Sequence, residues 1–89
     1  MMDARDQICD IVAMVFRVEP QQVKARADDE PLGALGLDSI NCMDIVVNLE
    51  EEFGIVFEDE ELLLDNLNTV GKLRSVVETK LALLATGGA

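Results

Sequence analysis

Three segments of the chain place their apolar residues at the intervals of an amphipathic helix. The first runs from about Asp3 to Arg17, and its apolar stripe is Ile8, Ile11, Val12, Val15 and Phe16. The last is capped by Asn68 or Thr69 and runs to about Leu84, with a stripe of Val70, Leu73, Val76, Val77, Leu81 and Leu84. The pattern predicts one helix at each end of the chain, each with one face turned towards a core.

The middle helix is predicted from Asp38 or Ser39 to about Phe53, where Gly54 is typical of a helix end. Its core stripe is Cys42, Ile45, Val46, Leu49 and Phe53. It also carries a polar stripe, which comprises Asn41, Asp44, Asn48 and Glu51, and beside it a second apolar strip of Ile40, Met43 and Val47. An ordinary surface helix needs one apolar face only, so the second strip is a candidate contact surface.

The long connection VEPQQVKARADDEPLGALGLD separates the first two helices, and its two prolines and two glycines prevent one continuous helix. A connection of this length in so small a domain should be packed down or functional. Its apolar anchors are Val18, Val23, Leu32, Leu35 and Leu37. Further along, EDEELLL predicts a short helix with acids at its start. The predicted fold is an all-α four-helix bundle of three longer helices and one short one, with a long first loop.

The chain of 89 residues predicts one domain, 1–89, ordered over about 3–85 and frayed at 86–89. Hydrophobic residues make up 49% of it, and the three aromatic residues are all Phe, so the core should be aliphatic. Seven basic and 18 acidic residues give a net charge of −11, which argues against binding to nucleic acid or anionic membranes. Such acidity suits basic patches on partner proteins, although it also serves solubility alone.

Cys9 and Cys42 are far apart and have no CxxC spacing. They can form a disulfide, but they read more simply as buried thiols of a reducing compartment. Since neither a secretory signal nor a membrane span is evident in the sequence, the expected location is the cytoplasm.

Self-contained catalysis and metal binding are not predicted. The chain has no histidine, which rules out a Ser-His-Asp triad, and GLDSI is not a GxSxG elbow. The stretch from Asp28 begins like an EF-hand, with Gly33 at its sixth place, but the twelfth place is Ser39 where a Glu is needed. Two isolated cysteines do not make a zinc site.

Ser39, at the start of the middle helix, is the candidate functional residue. A serine here most simply caps the helix. However, Asp38 can already serve as the cap, which leaves the Ser39 hydroxyl free. The loop before it is bent at Gly33 and Gly36 and anchored by leucines, so it should present the serine at the surface.

The stretch LGLDSINCMDIVVNLEEEFGIVFEDEE resembles the acyl carrier proteins of fatty-acid and polyketide synthesis, and the resemblance covers nearly the whole chain. Its most specific parts are GLDSI and, at the right distance, LEEEFG. The resemblance implies a non-catalytic carrier on which a phosphopantetheinyl transferase attaches phosphopantetheine to the Ser39 hydroxyl, beside Asp38. Cargo would then ride as a thioester on the thiol of that arm, and Cys9 and Cys42 would be largely buried.

The resemblance also implies a docking surface for partner enzymes, among them acyltransferases and ketosynthases with basic patches. The matching positions are Ile40, Met43, Asp44, Val47, Glu50 and Glu51. An acyl chain would fold back among Ile45, Val46, Leu49, Phe53, Ile55, Leu62 and Leu67. Asn41 departs from the family pattern, because many members carry an acid there.

Two other functions stay open at this point. A peptidyl or aminoacyl carrier uses the same arm, but often begins GGDS or GGHS where this chain has GLDS. An acidic helical adaptor would carry no prosthetic group. Within the carrier interpretation, the chain is expected to be a monomer, and fatty-acid, polyketide and specialised lipid synthesis fit equally well.

Overall fold

The computed structural model describes residues 4–87, with side chains over 4–84. Asp3 and residues 88–89, which the sequence assigned to the first helix and to the frayed tail, lie outside the described residues. The described chain contains five α-helices and no β-strand, and the helices are α1 (Ala4–Phe16), α2 (Pro20–Lys24), α3 (Ser39–Phe53), α4 (Leu64–Leu67) and α5 (Val70–Gly87). Two 3₁₀ turns, Leu32–Leu35 and Asp59–Glu61, complete the fold.

The three long helices confirm the predicted all-α bundle, and the short elements are more numerous than the sequence indicated. Helix α2 begins at Pro20, whose fixed φ suits the first turn of a helix. The sequence pattern indicates that this proline interrupts helical structure, whereas here it begins a helix. The EDEELLL segment contains a 3₁₀ turn, and helix α4 begins only at Leu64. Within this turn Glu61 folds back, so that its Oε1 accepts a hydrogen bond of 2.7 Å from Glu58 N.

The core is aliphatic, as predicted, and Phe57 is its one buried aromatic side chain among the described residues. Its buried members come from every helix and from the long loop: Ile8, Cys9, Val12, Ala13, Val23, Leu32, Cys42, Ile45, Val46, Leu49, Ile55, Phe57, Leu67, Val70, Leu73 and Val77. Cys9 and Cys42 are both buried free thiols, which confirms the expectation for them. Burial raises the pKa of both thiols, and the Arg5 guanidinium partly offsets this for Cys9.

The long first loop is fastened to both terminal helices through Asp28. Arg5 Nε of α1 donates to Asp28 Oδ1 at 2.8 Å, and Gly71 N of α5 donates to the Asp28 carbonyl at 2.9 Å. A second backbone bond joins Leu32 N to the Asn68 carbonyl at 2.8 Å, and the Leu32 side chain is buried. These contacts confirm that the loop is packed down.

Helix ends are closed by local interactions. Thr69 Oγ1 accepts a hydrogen bond of 3.1 Å from Lys72 N, so Thr69 caps α5. Helix α3 ends at Gly54, whose φ of 66° is left-handed, as the sequence predicted. Helix α1 closes through Val18 N, which donates to the Ala13 carbonyl at 3.0 Å, and this forces Arg17 to a φ of 59°.

The segment after α3 is held against α5 by one lysine. Lys80 Nζ lies 2.7 Å from Glu61 Oε1 and 5.7 Å from the centroid of the Phe57 ring. The hydrogen bond from Lys80, and then the one from Glu58 N, hold the pKa of the Glu61 carboxyl below its ordinary value. The described helices include none that is long and apolar enough to cross a membrane.

Candidate functional site

The first turn of α3 is capped by Asp38 and not by Ser39. Asp38 Oδ1 accepts hydrogen bonds from Ile40 N at 2.9 Å and from Asn41 N at 2.8 Å, while its carbonyl accepts one from Cys42 N. Ser39 is the first helical residue and is exposed. Since the capping role is filled by its neighbour, the Ser39 hydroxyl is left at the surface, as the sequence predicted.

The loop that leads into α3 is fixed by a chain of short-range bonds. Gly36 has a φ of 103°, a left-handed conformation that favours glycine, and its N–H donates to the Gly33 carbonyl at 3.0 Å. Leu37 N donates to the Leu32 carbonyl, which ties the loop to a buried anchor. Asn41 Nδ2 of α3 donates to the Gly36 carbonyl at 2.9 Å.

Sequence reasoning placed Asn41 in a polar stripe and noted its departure from the family pattern, but it missed this bond. The available signal was an amide side chain at the third helical position, after a capping Asp and a glycine loop. At that position the side chain can reach back over the start of the helix, as the last residue of a capping box does.

The setting of Ser39 fits a phosphodiester. Its side chain is an exposed primary alcohol, the group that a phosphate ester requires, and it lies at the positive end of the 15-residue helix α3. The chain has no histidine to serve as a base beside it, and within residues 4–87 no three metal-ligating side chains cluster. The exposed hydroxyl can therefore accept an anionic group at a helix end that favours negative charge.

The surplus apolar strip of α3 is exposed. Ile40 is 74% exposed, Val47 48% and Met43 43%. Asp44 and Glu51 are exposed on the same helix. Glu50 differs from them, because it is half-buried and its Oε2 accepts a hydrogen bond of 2.9 Å from Phe57 N. Its carboxylate therefore also holds the chain after α3.

Glu51 also lines an open groove between α3 and α1. The groove has a volume of about 440 Å³, and its walls are Gln7, Asp10, Ile11, Met14, Asn48, Glu51 and Glu52. Met14 presents an exposed apolar surface there, among three carboxylates. The acidic and apolar character of α3 thus continues onto the neighbouring helix.

The residues expected to line an acyl pocket are packed together in the core. Five of them are buried: Ile45, Val46, Leu49, Ile55 and Leu67. Phe53 and Leu62 are partly buried and pack against that cluster. These side chains contact one another now, so a guest chain would have to separate them.

Comparison with known proteins identifies the family of the chain. Residues 6–77 match the family model described as a phosphopantetheine attachment site. The chain is 34% identical to an acyl carrier protein of Exiguobacterium sibiricum, over 76% of this chain and 84% of that protein. It is 33% identical to one of Bdellovibrio bacteriovorus, over 89% of this chain and 96% of the relative.

A plant relative is similar over a smaller share of its own length. The chain is 36% identical to the chloroplastic acyl carrier protein 1 of Spinacia oleracea, and the match spans 85% of this chain and about half, 52%, of that protein. The family model and the two bacterial relatives cover most of the chain and include the segment around Ser39. The chain therefore belongs to the acyl carrier protein family and carries acyl groups on covalently attached phosphopantetheine.

Proposed function

We propose that Ser39 is the attachment point of the phosphopantetheine arm and that the domain itself is non-catalytic. The observation that carries the proposal is the exposed Ser39 hydroxyl, which Asp38 frees by capping α3 in its place. The phosphodiester is an anion, and the N-terminal end of a long helix favours negative charge. The arm supplies a terminal thiol that holds the acyl cargo as a thioester.

Attachment requires a phosphopantetheinyl transferase and coenzyme A. The Ser39 oxygen forms a new bond to the phosphorus that bears the pantetheine, the phosphorus–oxygen bond to the second phosphate breaks, and adenosine 3′,5′-bisphosphate leaves. The serine proton must be taken up by the transferase or by water, since the chain has no histidine to accept it. The role of Ser39 is to present its oxygen, and Asp38 supports that role by capping the start of α3.

The attachment site is tested by incubating the protein with coenzyme A and a broad-specificity transferase and measuring its intact mass. The wild type should gain one phosphopantetheine group and Ser39→Ala none. Ser75→Ala is the matched control, because Ser75 is the other serine of the chain and is exposed on α5. A mass gain in Ser39→Ala would refute the site, and no gain in the wild type with several transferases would favour the adaptor function.

The same α3 surface is proposed to dock partner enzymes. Its apolar strip of Ile40, Met43 and Val47 is exposed, and Asp44 and Glu51 give it negative charge. Partners with Arg and Lys around an apolar patch, such as the transferase, acyltransferases and ketosynthases, would be steered to it and held weakly. Weak, salt-sensitive contact suits a monomeric carrier that visits many enzymes in the cytoplasm.

Charge reversal on α3 tests the docking surface. Asp44→Lys and Glu51→Lys should raise the KM of the transferase for the carrier at low salt without unfolding the domain. Asp29→Lys makes the same charge change on the long loop, away from α3, and should have a smaller effect. If all three variants raise KM equally, total charge and not the α3 surface would govern the encounter.

The cargo is proposed to enter the core between α3 and the segment that follows it. Loading the arm with an octanoyl group should shift the methyl resonances of Ile45, Leu49 and Leu67, which are buried there. The methyls of Ile40 and Val47 serve as the control, since they face solvent on the same helix. Unchanged resonances at all three buried residues would place the chain outside the core, as would be expected of a carrier of small aminoacyl or peptidyl groups.

A further inference from the structure

Asn41 closes a ring between the first turn of α3 and the loop before it. Its Nδ2 donates to the Gly36 carbonyl at 2.9 Å, while its own N–H donates to Asp38 Oδ1 at 2.8 Å. The side chain and the backbone of one residue thus hold the loop at two points on either side of Leu37. Ser39 is the next residue after the second of these points.

The bond lies at Gly36, between the leucines that anchor the loop to the core. Gly33, Ala34, Gly36 and Asp38 are exposed, and Leu37 is only half-buried. Adding a Cβ at Gly33 or at Gly36 would meet no atom within 4 Å, so side-chain packing does not confine the loop at these points. Leu32, Leu35 and Leu37 pack in or against the core, and hydrogen bonds hold the backbone between them. The Asn41 amide supplies the bond that joins the Gly36 carbonyl to a side chain of α3.

We propose that Asn41 is a positioning residue for the modification of Ser39, an inference that rests on the proposed function of that serine. By fixing Gly36 it keeps the turn that leads into α3 in one arrangement, so that most molecules present the hydroxyl in the form a transferase binds. Without the bond the loop samples other arrangements, and the apparent affinity for the transferase falls with the fraction that is competent.

The test compares transferase kinetics on Asn41→Ala with those on a matched variant. Asn48 makes a bond of the same type within α3, from its Nδ2 to the Asp44 carbonyl at 2.7 Å, about two and a half turns beyond Ser39. Asn48→Ala therefore removes an exposed side-chain hydrogen bond and raises the helix propensity as much as Asn41→Ala does, but it leaves the loop intact. Asn41→Gln keeps a donor and serves as the conservative variant.

We expect Asn41→Ala to raise the KM of the transferase for the carrier by about three- to ten-fold, the range that one lost hydrogen bond gives, with kcat unchanged. Asn41→Gln should recover part of this rise, and Asn48→Ala should match the wild type. Amide exchange at Leu37 should become faster in Asn41→Ala, and urea unfolding should stay close to that of Asn48→Ala.

An unchanged KM for Asn41→Ala, with the wild type modified normally, would overturn the inference and leave the attachment site standing. A rise in KM that is equal in Asn48→Ala would also overturn it, since a general loss of polar groups or of stability on α3 would then be the cause. Failure of the wild type to gain mass would instead overturn the proposed function itself, so the two failures are distinguishable.

Discussion

Two residues occupy backbone positions with opposite demands. Arg17 has a φ of 59°, and this left-handed conformation is unfavourable for any residue that has a Cβ. Gly71 lies on α5 against the long loop, where a Cβ would stand 2.8 Å from the Asp28 carbonyl oxygen. The first position would accept a glycine that it lacks, and the second depends on the glycine that it has.

Arg17→Gly should raise the free energy of unfolding by about 0.5–1 kcal/mol. Glycine adopts the left-handed conformation without steric cost, and the gain exceeds its larger loss of backbone entropy on folding. The measurement is urea unfolding followed by circular dichroism. Arg17→Ala controls for the lost guanidinium, since it keeps the Cβ, and it should stay within about 0.5 kcal/mol of the wild type. Equal stabilisation by both variants would trace the effect to charge instead.

Gly71→Ala should lower the free energy of unfolding by about 1–3 kcal/mol, although alanine is the better helix former. The added methyl group would meet backbone atoms of Asp28, which cannot turn aside as a side chain can. Gly33→Ala is the control, because a Cβ there has open space around it. Thermal unfolding of the two variants side by side checks this, and a Gly71→Ala variant as stable as Gly33→Ala would contradict the close contact.

Among the elements, the segment between α3 and α5 depends on few contacts. Lys80 of α5 reaches Glu61 in the 3₁₀ turn and covers the Phe57 ring, while Glu50 of α3 binds Phe57 N. This segment borders the part of the core that an acyl chain would enter by pushing the packed side chains apart. Its attachment through charged groups makes its stability dependent on pH.

Lys80→Met should remove a pH-dependent part of the stability. The folded-state pKa of Glu61 is lowered, so its contribution is present above the ordinary carboxyl value of 4.5 and is lost as the pH falls through the lowered pKa. The free energy of unfolding of the wild type, relative to Lys80→Met, should therefore fall as the pH drops below 4.5. The comparison uses urea unfolding across that range.

Lys72→Met provides the control for this pH dependence. Lys72 Nζ donates to the Asp65 carbonyl and to Asn68 Oδ1, neither of which is a carboxylate. The variant changes the net charge equally, so its pH dependence should follow that of the wild type. If Lys72→Met and Lys80→Met behaved alike, net charge would explain the effect and the Glu61 contact would not.

Helix α3 could be predicted almost to the residue because every signal for it is local. Asp38, the apolar periodicity and Gly54 mark its start, faces and end within a single run of sequence. The next segment has a contact that could not be predicted from local sequence, because Glu61 of its 3₁₀ turn binds Lys80 on the distant helix α5. The Asn41 bond lies between these cases: its range is short, but a carbonyl acceptor leaves no mark in the sequence.

For the whole molecule, the net charge of −11 affects folding and docking in opposite directions. At about 0.01 M salt the Debye length is about 30 Å, comparable with molecular extents of 40, 30 and 21 Å, so all of the carboxylates repel one another. At about 0.15 M it is about 8 Å, and most of that repulsion is screened. Screening therefore stabilises the folded state by weakening the repulsion between carboxylates, and it also weakens the attraction to basic partners.

Added NaCl should therefore raise the unfolding temperature while it raises the KM of the transferase for the carrier. Differential scanning calorimetry and loading kinetics over the same salt series measure the two effects. A double variant, Asp29→Lys with Glu52→Lys, brings the net charge from −11 to −11 + 4 = −7 and should show a smaller thermal shift. An unfolding temperature that is independent of salt would show that self-repulsion is negligible.

The burial of both cysteines has a practical consequence for labelling the molecule. Cys9 and Cys42 are closed to solvent, and their raised pKa values keep them in the unreactive protonated form. Once the arm is attached, its terminal sulfur is the accessible one. A maleimide dye applied briefly to the folded protein should therefore react with the free thiol of arms that hold no acyl group and leave Cys9 and Cys42 unlabelled.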